Sequence, residues 1–256
     1  MLRPLATIAR STAAEAIHTR FGWLLAAVVL LGFSLVQFLA QVAITETREI
    51  QAALLAASFR FTLVFLVGLF VITGITRDHN DKVVDPMCSL PLSRGGYYLG
   101  KLLGYSLLCL VSVLPLALLL ALFTTPDAAV LWGASLFLEL LIVCAASLLF
   151  GFAFGQVTPA VSALVGFYLI SRAIASIQLM AHGPLAEAGS FSQAVMTRLV
   201  DGIAYLLPDL DQFTRTEWVV YPAAHWPELL VLAGQTLIYV LLLAGIALFD
   251  LYRRDP

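Results

Sequence analysis

Apolar runs long enough to cross a bilayer recur along this chain, each ended by a short polar interval. A helix rises 1.5 Å per residue, so roughly 20 apolar residues match the hydrocarbon thickness. The runs predict spans over residues 22–44, 53–76, 97–123, 131–155, 160–181 and 229–251. The alternation expected of a transmembrane β-barrel is missing from the sequence. Ahead of the first run, Leu2, Leu5, Ala9, Ala13, Ala16 and Ile17 recur at helical spacing, with Arg3, Thr7 and Arg10 on another face. Residues 1–20 are therefore expected to form an amphipathic helix at the membrane surface. A signal peptide is the competing reading, because Ala40-Gln41-Val42-Ala43 offers small residues; the polar lead and the apolar run are both too long for it.

Turns are expected at Thr45–Glu49, at Thr124-Thr125-Pro126-Asp127 and at Gln156-Val157-Thr158-Pro159. Pro115 falls inside the third run, where the missing backbone donor should bend the helix. The interval 182–228 is long for a connection. Within it, Phe191 to Leu207 sets Val195, Leu199, Ile203, Leu206 and Leu207 on one side, with Arg198 and Asp201 off it. Trp218, Tyr221 and Trp226 suit a membrane interface. Short helices across the mouth of the protein are expected here, dipping into the bilayer or lying on it. They would close a gate, receive a partner or act as a passive cap.

Composition agrees with the pattern. Of 256 residues 61% are hydrophobic and 12% charged, about half the charged share of a soluble domain. That leaves too little polar surface to cover a water-soluble globule. The expected fold is an all-α polytopic membrane protein with six transmembrane helices, forming one domain over 1–256. The net charge of −2 and the lack of a basic tract give no footprint for nucleic acid. Cys88, Cys109 and Cys144 stand far apart without a CxxC pair, and read as core-filling residues. His182 and His225 are isolated, so no metal site is expected.

Six spans return both termini to one side. Arg3, Arg10, Arg20, Arg77, Lys82, Arg94, Lys101, Arg253 and Arg254 collect there, against Arg48, Arg198 and Arg215 on the other. The positive-inside rule makes the termini cytoplasmic, the protein multi-pass in the cell inner (plasma) membrane, and 182–228 extracytoplasmic.

One polar island interrupts the apolar chain, from Arg77 to Lys101. It opens with Arg77-Asp78-His79-Asn80-Asp81-Lys82. It continues through Asp85-Pro86-Met87-Cys88-Ser89-Leu90-Pro91-Leu92-Ser93-Arg94, and closes with Tyr97-Tyr98-Leu99-Gly100-Lys101. On residues alone it is either a solvated stop-transfer loop or a docking surface. Pro86 and Pro91 would delimit a short element. Met87, Leu90 and Leu92 would fill an apolar groove, with Asp78, Asp81, Asp85 and Arg94 around it.

The segment Leu90-Pro91-Leu92-Ser93-Arg94 followed by Leu99-Gly100-Lys101, placed after the second of six spans, resembles the permease subunit of the type-2 ABC exporter family. Tyr205-Leu206-Leu207-Pro208-Asp209-Leu210-Asp211-Gln212-Phe213 is similar to a stretch of its copper-enzyme maturation (NosY-like) branch. The resemblance implies that residues 77–96 form a cytoplasmic coupling helix docking on an ABC ATPase, through Asp78, Asp81, Asp85, Met87, Leu90, Pro91 and Arg94. It implies a second permease copy, a homodimer, and export across the membrane. No Gly-x-x-x-x-Gly-Lys-Ser/Thr sequence occurs. ATP would therefore be used by the partner, with no cofactor on this chain and no enzymatic activity of its own. A non-transporting anchor for an ATPase is the alternative. An intramembrane enzyme lacks converging nucleophiles, bases or ligands in the spans.

Three charges fall inside predicted spans: Arg60, Glu139 and Arg172. A charge in hydrocarbon is costly unless paired or wet. Their similar depth lets Glu139 meet Arg60, Arg172 or both. The cluster would then clamp three helices, line a substrate path or contact a lipid headgroup. Gly100-x-x-x-Gly104 and Gly151-x-x-x-Gly155 are small-residue patterns that permit close helix approach, first of all within the chain.

Overall fold

A computed structural model describes residues 11–12, 19, 21–42, 47–80, 94–182, 191–215, 217–220 and 226–253. The expected surface helix over 1–20, apart from 11–12 and 19, and the centre of the polar island, 81–93, lie outside the described residues. Among those described the chain is all-helical, with six helices long and apolar enough to cross a membrane. They are α1 (Phe21–Val42), α2 (Thr47–Asn80), α3 (Arg94–Leu120), α4 (Pro126–Phe154), α5 (Val157–Ala181) and α8 (Trp226–Arg253). Between α5 and α8 come α6 (Phe191–Leu206), a 3-10 turn (Leu210–Thr214) and the short α7 (Glu217–Val220).

Helix α4 is the hub. Of its spanning residues 61% are buried, against 17% for α1 and 22% for α8. It packs against α2, α3, α5 and α8. Its sequence is apolar on all sides, as expected of a helix surrounded by others. Small residues let the neighbours close in: Ala145, Ala146 and Ser147 are fully buried. Gly133 stands where a Cβ would lie 3.1 Å from that of Ala117 on α3.

Several helices overrun their apolar stretches. Helix α2 is 34 residues long, about 51 Å at 1.5 Å per residue, and carries Arg77 and Asp78 in its last turns. Polar residues end a membrane span without ending a helix, because nothing before Pro86 removes a backbone donor. The expected turn at Gln156–Pro159 shrinks to two residues. Gly155 takes a left-handed φ of 61° and its N–H bonds to Gly151 O, the usual glycine stop. Pro159 then sits in the first turn of α5, where its missing N–H costs nothing. Thr125 caps α4, its hydroxyl accepting from Ala128 N at 3.4 Å, with Pro126 just inside. Pro115 lies within α3, which runs unbroken to Leu120.

The segment before α8 does not lie flat across the mouth. The Tyr239 hydroxyl, at the midpoint of α8, donates to Leu207 O at 2.8 Å. Counting from Trp226, that point is about 20 Å along the helix. The chain thus dips to mid-depth after α6. It returns by way of Arg215, which pairs with Glu228 at 3.1 Å near the start of α8. Leu210 and Phe213 of the 3-10 turn are fully buried, against α4 and α5. The apolar stripe read on α6 is real but faces outward: Val195, Leu199, Ile203 and Leu206 are exposed, and Val200 is the buried contact. A helix half in lipid shows its apolar side to the lipid.

Candidate functional site

The three intramembrane charges converge. Along their helices, Arg60 lies 13 residues from Thr47, Glu139 13 residues from Pro126 and Arg172 9 residues before Ala181. These are heights of about 20, 20 and 14 Å from the same end of the bundle. Arg60 Nη1 contacts Glu139 Oε2 at 2.5 Å, and Nη2 donates to Ser135 Oγ at 2.8 Å. Its guanidinium carbon also stands 5.6 Å from the Trp132 ring centroid. Glu139 Oε1 accepts from the Tyr168 hydroxyl at 2.9 Å. Arg172 Nη1 donates to that hydroxyl at 3.3 Å and lies 3.7 Å from Oε1.

Glu139 therefore meets both arginines, but unequally. Arg60 and Glu139 are buried, while the Arg172 side chain keeps 35% of its surface exposed. The sequence reading missed Ser135 and Tyr168. Each stands four residues before a charged residue, Glu139 and Arg172, on the same helix face, and that spacing was a usable signal. A buried ion pair is held only when its remaining donors and acceptors are also met, and Ser135 and Tyr168 do that.

A second constellation lies at the other end of the bundle, where the polar island joins the spans. Asp78 Oδ2 accepts from the Tyr97 hydroxyl at 2.9 Å and pairs with Lys101 Nζ at 2.7 Å. Lys101 is nearly buried, between the Tyr97 and Tyr105 rings at 6.0 and 5.9 Å. Arg94 Nη1 donates to Leu251 O at 2.8 Å, tying the start of α3 to the last turns of α8. Of the expected coupling residues, Asp78 and Arg94 are thus engaged within the chain. Asp81, Asp85, Met87, Leu90 and Pro91 fall in 81–93, outside the described residues.

Other sequence features separate. Cys109 and Cys144, 35 residues apart, meet with their sulfurs 3.3 Å apart between α3 and α4. Gly151 gives close approach to Ile75 of α2, where a Cβ would lie 3.2 Å away, so this half of its small-residue pattern serves packing within the chain. His182 pairs with Asp201 at 3.5 Å. Among the described residues no group of three potential metal ligands gathers. A cleft of about 230 Å³ opens between the returning segment and α8, lined by Gln212, Arg215, Trp218, Glu228, Val231 and Leu232.

These features define a multi-pass, all-α membrane protein with a polar cluster in its core and helix ends clamped to one another at one end. No family model and no curated protein matches the chain.

Proposed function

We propose that this chain is the membrane permease subunit of an ABC exporter, working as a pair of copies with cytoplasmic ATPase subunits. The observation that carries the reading is the double clamp around the polar island. Asp78, Tyr97 and Lys101 lock the last turns of α2 to the first turns of α3. Arg94 locks α3 to α8. A push on residues 81–93 would then reach three spanning helices rather than bend a slack loop. A stop-transfer loop needs no such bracing.

The resemblance of Leu90-Pro91-Leu92-Ser93-Arg94 and Leu99-Gly100-Lys101 to type-2 ABC exporter permeases supports the same reading. Two of its residues, Arg94 and Lys101, are the clamping cations. The distribution of basic residues supports a cytoplasmic island and cytoplasmic termini in this reading, with the chain in the inner membrane. Export, rather than import, rests on the resemblance. In this reading ATP is consumed by the partner, and the chain performs no reaction itself.

The test is Leu90→Asp combined with Asp81→Lys, two positions of the island other than the clamp residues Asp78, Arg94, Tyr97 and Lys101. Co-purification of the ATPase and its turnover in the complex are measured. Loss of both, with the permease still monodisperse, is the expected result. Unchanged assembly and turnover would remove the loop from the scheme.

A further inference from the structure

The core cluster does not balance. Two guanidinium groups face one carboxylate, and the carboxylate is claimed at short range by Arg60 and Tyr168. Arg172 is left with the longer contacts, 3.3 Å to a neutral hydroxyl and 3.7 Å to Oε1. Among the described residues no other carboxylate lies within ion-pair distance of it. Asp201 turns instead to Gln178 and His182, and Asp209 accepts from Gln212. One positive charge therefore remains at hydrocarbon depth, where it is expensive. The usual remedy is for a long side chain to snorkel to the interface. Arg172 has not done so, since its Nη1 points inward to Tyr168. The described residues supply no further counter-charge, and the exposed side of the guanidinium is open to one from outside.

The surroundings suit an incoming acid with an apolar body. Along α5, Leu169, Ser176 and Leu179 recur on the Arg172 side and are exposed. Exposed Ala173 and Ser176 beside it are small, leaving the guanidinium open from that side. A guanidinium offers paired donors matched to phosphate and carboxylate oxygens. We infer that Arg172 is an anion-binding residue, open on the exposed side of α5, which takes the acidic headgroup (phosphate or carboxylate) of a membrane amphiphile whose tail runs deeper into the bundle's lipid face along Leu169. The site stands without the permease reading, and its test needs no ATPase. If the permease reading also holds, an anionic amphiphile is the class of cargo to try first.

The experiment compares thermal unfolding of the full chain in nanodiscs of neutral phosphatidylcholine and in nanodiscs containing phosphatidylglycerol. Wild type should gain several degrees from the anionic lipid. Arg172→Gln should lose that increment whatever its midpoint in neutral lipid, and Arg172→Lys should keep most of it. Inorganic phosphate added to neutral nanodiscs distinguishes the source: a full increment from phosphate alone overturns the amphiphile, and no increment supports it. An equal increment in Arg172→Gln, or none in wild type, overturns the site. Should Arg172→Gln fail to fold, wild type is labelled with phosphatidylglycerol carrying a photoreactive acyl chain. Labelling around Leu169, competed by unlabelled phosphatidylglycerol and not by phosphatidylcholine, supports the site. Labelling that is elsewhere or indifferent to headgroup overturns it.

Discussion

Lys101 Nζ lies 2.7 Å from Asp78 Oδ2, across the two ends of the one long polar stretch in the chain. The pair is mostly buried, with 9% and 16% of the side chains exposed, so removing either member leaves the other charge without its close counter-ion. Among the described residues, Lys101→Met would leave Asp78 with the Tyr97 hydroxyl. Removing one partner of a buried pair costs about 3 kcal/mol; a somewhat smaller loss is expected here, read as a lowered unfolding midpoint in detergent. Asp78→Asn with Lys101→Met should recover part of it. An unaltered midpoint in Lys101→Met would show that the clamp does not hold.

Glu139 is the keystone of the core cluster, because it is the acceptor that both arginines share. Glu139→Gln would leave two guanidinium groups without a counter-charge. A loss of roughly 3–5 kcal/mol is expected, seen as aggregation on extraction or a large drop in midpoint. Adding Arg60→Gln should restore part of the loss, since one of the stranded charges is removed. If the double variant is worse by the sum of two independent losses, the pair is not coupled in this way.

The cysteine contact gives a direct check on how α3 packs on α4. Two thiols 3.3 Å apart are placed to form a disulfide when a membrane-permeant oxidant removes two electrons and two protons. Mass spectrometry of the treated protein should find Cys109 and Cys144 peptides joined. Treated Cys109→Ala should leave Cys144 unjoined to any other cysteine of its own chain. Failure to join them under conditions that oxidise Cys88 would contradict this packing.

Glycines on α2 and α5 separate packing from flexibility. A Cβ on Gly68 would lie 2.5 Å from Leu164 Cδ2, whereas one on Gly166 meets nothing within 4 Å. Gly68→Ala is expected to cost about 1 kcal/mol, because the buried Leu164 must shift. Gly166→Ala should be neutral or stabilising by up to about 1 kcal/mol, since alanine favours the helix. Equal effects would mean that α2 and α5 are not in close contact at this level.

The class of the protein was legible in the sequence, because the bilayer imposes one length and one polarity on every span. Six apolar runs marked six helices, and their number set which loops share an end of the bundle. Arg60, Glu139 and Arg172 were legible as a group for the same reason, since charge in hydrocarbon has to be explained. Helix ends were less legible: Arg77 and Asp78 look like loop in composition but continue α2. A helix ends at a backbone event, and a span ends at a change of solvent.

Tertiary packing alone decided how unequally Glu139 is shared, and so which arginine is left in need of a counter-charge. It brought Cys109 to Cys144, turned the apolar side of α6 outward, and carried Leu207 to mid-depth beside Tyr239. It also gave Asp78 and Arg94 partners inside the chain. Hydrophobic pattern records how deep a residue sits in the membrane. It does not record the rotation of one helix about its neighbour, and that rotation chooses which polar atoms meet.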